Sequence, residues 1–592
     1  MKYLAFLLVA AILFCCSCGN ESTNQNVNQS ADSNMDQSFD KYKEALIENF
    51  WLLYPGQASG LGYHKHDSVL VIPDEVFHKK EIDFANQNLD SLKKFDSVKL
   101  SSTNKTDFYI MENALISLLF NAKEFREYEW NPAAYNVGGT FAEILQSKHA
   151  SNPDKLRSLY LRMANIPAYY AAAKKIIKNP TAEHTDLGIR QNRGGLDVFN
   201  VMLMDSLKKS GMGAHESQMI EARIHESAKA IEDYAFWLEK EVKPSLKPET
   251  ARNFRIGKDL YEKKFRHDIV SRFTAEEIYN KALQRKDEIQ ADMLKITAEI
   301  FTKYFPGVRV AGGFTKEHTK ILIDEISKKH VHRDSFQVAI EKQIPELTKF
   351  ISDKNLLYMD PSKPLVVRKE PAYMAGVAGA SISSPGPYDK EGNTYYNVGS
   401  LAGYTAEGAE SYLREYNHYI LQVLNIHEAI PGHYAQLVYS NQSPSPVKSI
   451  FGNGAMIEGW AVYTERMMLE NGYGNNEPEM WLMYNKWHLR AVCNTIIDYS
   501  IQVLGMKKEE VIKFLEEDAF QQKQEAENKW RRAALTQVQL TSYFTGYTEI
   551  YELREELKSK KGDKFNLKEF HEKFLSYGSA PVQYIRELML EE

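Results

Sequence analysis

From Phe39 almost to the C-terminus, apolar residues recur at the three-to-four-residue spacing of a helix, and the pattern lapses only between Met359 and Ala402. Segments such as DFYIMENALISLLF, KLRSLYLRMANIPAYYAAAKKII and MIEARIHESAKAIEDYAFWLEKEV carry it, with Pro55-Gly56, Pro132 and Gly138-Gly139 as breakers. Thr274 with Glu277 three residues on predicts a capping box at the head of a long helix, and Pro345 predicts a bend in another. Within the lapse, a Gly-, Pro- and Ser-rich stretch with short β-branched and aromatic runs predicts loops and a small hairpin or mixed sheet. A long helix is then expected from about Thr405. The fold class is therefore mainly α with a small β element. Two helical lobes, 39–245 and 246–592, are expected around a central cleft.

The leader MKYLAFLLVAAILFCCSCGNES has one lysine, an apolar run too short to span a bilayer, and a cysteine cluster, which together read as an export signal. It resembles a bacterial lipoprotein signal over 1–17, with Cys18 as the lipidated residue because the small Ser17 precedes it; Cys16 is the alternative, and a plain secretory signal or uncleaved anchor is another. Residues 18–38 are polar and aperiodic, as a flexible tether would be, and folding is expected to start near Phe39. With three of the four cysteines in the leader, Cys493 has no intramolecular partner; its apolar surroundings predict a small buried hydrophobe. At 73 basic against 79 acidic residues the chain offers no basic field for nucleic acid, and that class of partner is excluded.

The segment HEAIPGHYAQ, His427 to Gln436, holds the His-Glu pair of a metallopeptidase helix, but its second histidine stands at i+6 rather than i+4. In a regular helix His433 would lie about 240° round from His427. Pro431 cannot donate to the His427 carbonyl and Gly432 tolerates unusual dihedrals, so a local loop could return His433 to the face of His427. Alternatively, Pro-Gly simply ends the helix and both histidines are ordinary polar residues. A third ligand is offered by GNGAMIEGWAVYTERMMLE, where Glu458 and, seven residues on, Glu465 share nearly one stripe of an apolar helix. We read Glu458 as the ligand and Glu465 as the partner of a ligand histidine's second nitrogen; pairing of both with Arg466 or Arg490 is the other reading. Two histidines and a glutamate point to zinc, with Glu428 as general base. A donor to the oxyanion would come from a tyrosine, with Tyr395, Tyr396, Tyr543 and Tyr547 as sources.

Taken together, HEAIPGHYAQ and EGWAVYTE resemble the bacterial family known as domain of unknown function 885, and the likeness runs to SYGSAPVQYIRELM near the C-terminus. Members look like zinc peptidases related in fold to the thimet oligopeptidase and carboxypeptidase Taq groups. The resemblance implies His427, His433 and Glu458 at the metal, Glu428 as base, Tyr543 near substrate, and Tyr396 and Asn397 in the cleft. Gln436 closes the motif, and Arg490 and Asp498 match residues typical of these proteins. Arg490 is taken for substrate binding, Gln436 and Asp498 as supports behind the metal. Where many members carry a histidine this chain has Gln502, which cannot act as a charged donor.

The expected function is zinc-dependent hydrolysis of short peptides by an exported, lipid-anchored protein. A non-enzymatic peptide-binding lipoprotein and a zinc hydrolase of a non-peptide amide are the alternatives.

Overall fold

The computed structural model describes residues 24–591 apart from 248, 250, 364, 371–379, 390 and 391, so the leader with Cys16 and Cys18 lies outside the described residues. Helix α1 (Asn24–Leu53) begins inside the segment expected to be a tether. It is pinned where Asp36 accepts from the Ser101 amide and the Asn104 side chain, and Phe39 on the same helix is fully buried. Thr274 and Glu277 form the expected capping box on α2 (Ala275–Tyr304), while Pro345 sits within Phe336–Asp353 without interrupting that helix.

The lapse in helical spacing yields three strands, β1 (Leu365–Lys369), β2 (Ala380–Ser383) and β3 (Thr394–Val398), in the order β1-β3-β2. β1 runs parallel to β3 and β2 antiparallel to it, a small mixed and open sheet. Its central strand is tied to the helices: the buried Tyr396 hydroxyl donates to Asn425 Oδ1 (2.7 Å), and Asn425 Nδ2 donates to Gln343 Oε1 (2.6 Å).

The single helix expected from Thr405 is two. Ala406–Glu415 stops, and the Asn417 side chain accepts the amides of Tyr419 and Ile420 to start α3 (His418–Glu428). An asparagine that satisfies exposed first-turn donors favours a new helix over continuation. Then follow α4 (His433–Asn441), α5 (Gly454–Glu470), α6 (Pro478–Gln502), α7 (Lys523–Thr536) and α8 (Ser542–Lys561).

Two close packings position the site. α6 lies along α2, and α5 meets α8 backbone to backbone at Gly459 and Gly546. A side-chain carbon on Gly459 would overlap the Gly546 backbone, and one on Gly546 would overlap the Ala455 carbonyl. Only glycine permits that approach.

The main apolar cluster spans Phe39 to Met589 and buries Ile420, Leu424 and Ile426 of α3 against Met456 and Trp460 of α5. A second cluster gathers Leu70 with residues between Tyr135 and Val242, so the segment 39–245 contributes to both. Cys493 is fully buried beside Ile497 and Leu515, and burial pushes its thiol up to about 12, which suits a core residue rather than a nucleophile. No described helix is long and apolar enough to cross a membrane.

Candidate metal centre

α3 ends at Glu428 and α4 begins at His433, and the chain turns between them through a cis Ile430–Pro431 peptide bond. Gly432 is needed for space rather than for backbone freedom. Its φ is −72°, but a side chain there would overlap the carbonyl oxygens of His427 and Ile426, and its amide donates to Ile426 O (3.0 Å). The Pro-Gly pair thus ends one helix and, in the same turn, starts another with His433 facing back.

The two imidazoles lie 4.8 Å apart, centre to centre, with planes at 88°. Glu458 Oε2, from α5, is 3.7 Å from His427 Nε2 and 3.4 Å from His433 Nε2. That oxygen is buried without a hydrogen-bond partner. On the far side of His427, Nδ1 lies 2.7 Å from Glu465 Oε1, which also accepts from the Trp487 indole at 3.0 Å. A carboxylate can only accept from Nδ1, so Nε2 is the nitrogen turned toward Glu458 and His433. Among the described residues neither glutamate is paired with arginine: Arg466 pairs with Glu470 (2.7 Å) and Arg490 with Glu525 (2.6 Å).

Glu428, Glu458 and Glu465 surround two histidines in a water-poor setting, so the cluster attracts positive charge. Burial opposes a charge on His427, yet Glu458 and Glu465 overcome it and push its pKa up to about 10. Burial would raise Glu458, but His427 and His433 hold it below the ordinary carboxylate range. Burial does raise Glu428, only partly offset by His433 and His427, and Glu428 makes no hydrogen bond among the described residues. A compact His, His, Glu donor set with an unpartnered carboxylate oxygen fits a divalent ion of the zinc type.

A second cluster that could hold a metal, His64, Asp67 and His149, lies outside these elements and was not singled out from the sequence. Its imidazoles stack in parallel, 3.5 Å apart at 8°, with His64 Nδ1 2.9 Å and His149 Nε2 3.3 Å from one Asp67 oxygen. In-plane lone pairs of parallel rings do not converge, whereas those of perpendicular rings can; the first cluster is the better built.

His427, Glu428, His433, Glu458, Glu465, Arg490 and Tyr543 all line one cavity of about 1530 Å³. The other expected site residues do not reach it. Tyr396 and Asn397 are fully buried in the sheet, where Asn397 accepts from Arg368 Nε and donates to Ser383 Oγ, both at 2.7 Å. Gln436 donates to Ser579 Oγ (2.8 Å), and Asp498 accepts from Tyr261 (2.8 Å) in the core. Gln502 accepts the Ile256 amide and donates to the Ala533 carbonyl, a buried bridge between segments that does not line the cavity. Arg490 lines the cavity with Nη2 paired to Glu525 and its guanidinium over the Trp487 ring (5.0 Å), while its Nη1 has no hydrogen-bond partner among the described residues.

Sequence reasoning missed Trp487, Lys529 and Arg532, all of which line the cavity. Trp487, Arg490, Ala491 and Asn494 follow the i, i+3, i+4, i+7 rule along α6, a stripe that was readable. Arg532 Nη2 donates to the Tyr543 hydroxyl (2.9 Å) across a helix junction that spacing could not supply.

A family model described as a bacterial protein of unknown function, DUF885, matches residues 55–589. A solved structure from Shewanella oneidensis, given as a candidate lipoprotein of unknown function, is 53% identical; the match covers 93% of this chain and 99% of that one with a TM-score of 0.84. A candidate lipoprotein structure from Colwellia psychrerythraea is 16% identical and shares the fold, with a TM-score of 0.77 over 94% of this chain and 99% of that one. A search of curated proteins gave no match.

Proposed function

The chain belongs to the bacterial DUF885 family, and we propose that it is a zinc-dependent metallopeptidase acting on short peptides. The observation that carries this reading is the convergence of His427, His433 and Glu458 beside a half-buried Glu428 that lines the same cavity. Zinc in such a donor set supplies Lewis acidity and activates water at neutral pH.

Glu428 is the general base: desolvation raises its pKa above the ordinary carboxylate value, which strengthens it as an acceptor of a proton from water that it can return to the leaving amine. Glu465 fixes the ring of His427, and Trp487 in turn fixes Glu465. Tyr543 accepts from Arg532, which leaves the phenolic hydrogen available to a substrate oxygen that gains negative charge. Burial pushes that phenol up to about 12, so it stays protonated at neutral pH.

The relation in fold to thimet oligopeptidase and carboxypeptidase Taq belongs to this proposal and rests on the motif residues. So does anchoring of an exported protein through Cys18, supported by the leader and by the candidate lipoproteins of the same fold. The test is digestion of a peptide pool by zinc-loaded protein, with metal content measured alongside. Cleavage abolished by chelation and restored by zinc is expected. Protein that binds no zinc, or that binds it and cleaves nothing, would overturn the reading.

A further inference from the structure

Five cations line the cavity, and their partners differ. Arg490 already carries a carboxylate counter-charge, with Nη2 paired to Glu525. Lys369 and Arg531 are exposed and solvated. Lys529 is different: it is 5% exposed, lines the cavity, and makes no hydrogen bond or ion pair among the described residues. Arg532 stands one turn further along α7, donates to Tyr543 and Gln539, and has no carboxylate partner among the described residues.

With its side chain 5% exposed and no protein acceptor among the described residues, the Lys529 amine has only the cavity to supply a partner. Desolvation, and then repulsion from Arg490, drive its pKa well below the ordinary lysine value. An anion that entered beside Lys529 would reverse both effects by restoring its charge and supplying an acceptor. Lys529, Arg532 and Tyr543, the last two hydrogen-bonded to each other, line the same cavity as His427, His433 and Glu458.

We propose that Lys529 and Arg532 form a subsite for a substrate carboxylate, the free C-terminal carboxylate of a peptide, which would make the enzyme a carboxypeptidase. The proposal rests on the peptidase reading above and deepens it. A terminal carboxylate is the one anion that every unblocked peptide carries. An acidic side chain offers the same chemistry, and the experiment separates the two.

Three pools of N-acetylated pentapeptides are digested by zinc-loaded protein and followed by mass spectrometry: free acids lacking Asp and Glu, the same sequences as C-terminal amides, and amides containing Glu. The expected result is a preference of about tenfold or more in kcat/KM for the free acids over their amides, which falls toward one in Lys529→Met. Methionine keeps the bulk of the side chain and removes only the unpaired amine, so the variant should fold. Preference for the Glu-containing amides would keep the subsite and move its source to a side chain. Equal cleavage of all three pools by the wild type would overturn it.

If no pool is cleaved, the peptidase reading fails separately. Binding of the free-acid and amide pools to Glu428→Gln protein then decides the subsite. Tighter binding of the acids, lost in Lys529→Met, supports it; equal binding or none overturns it.

Discussion

His427 Nδ1 and Glu465 Oε1 lie 2.7 Å apart, 38 residues apart in sequence, and this contact fixes which nitrogen of His427 faces Glu458. Glu465 is nearly fully buried, and among the described residues its only other donor is Trp487. An amide in its place could turn its NH2 toward the ring and favour the wrong tautomer.

Glu465→Gln should therefore weaken zinc binding by about 10- to 100-fold while the fold survives, since an oriented ligand partner typically contributes that much. Competition titration against a zinc chelator, with circular dichroism as a folding control, measures it. Unchanged affinity would remove Glu465 from the metal centre.

Gly432→Ala should abolish metal binding, because a methyl group there would overlap the His427 and Ile426 carbonyls and force α3 and α4 apart. Gly403→Ala is the control, since a side-chain carbon at that position meets nothing within 4 Å. Equal zinc content in both variants would refute the role of this turn.

Replacing the base separates chemistry from binding. Glu428→Gln should retain one zinc per chain and lose about 10²- to 10⁴-fold in peptide hydrolysis, the usual worth of a general base. If activity persisted within a few-fold, another group would have to move the proton.

A pH dependence of stability follows from His571. Its Nδ1 donates to the Leu356 carbonyl (2.8 Å) and its Nε2 accepts from the Tyr463 hydroxyl (2.8 Å), so the neutral ring is fully satisfied. Burial lowers its pKa from an ordinary 6.5 to about 4. Between those values the unfolded chain takes a proton that the folded one refuses, so this contribution is complete above pH 6.5 and is lost as pH falls toward 4. In metal-free protein the stability advantage of wild type over His571→Gln should shrink by roughly 2 kcal/mol between pH 7.5 and 4.5. Urea denaturation at both pH values tests it, and a constant gap would contradict the assignment.

The helical class, the capping box at Thr274 and the β interlude before the motif were all legible in the sequence, because each depends on residues within a few positions of one another. So was the grouping of His427, His433, Glu458 and Glu465, since two local motifs held costly polar groups on otherwise apolar faces. The break at Asn417 was local too, but the apolar period running through it concealed it. Tertiary structure alone decided the partners. Arg490 met Glu525, Asp498 met Tyr261, Tyr396 met Asn425, and Lys529 met none among the described residues. The physical reason is that periodicity fixes which face of an element is buried, whereas a side chain's charge, access and free valence depend on what a distant segment brings to that face.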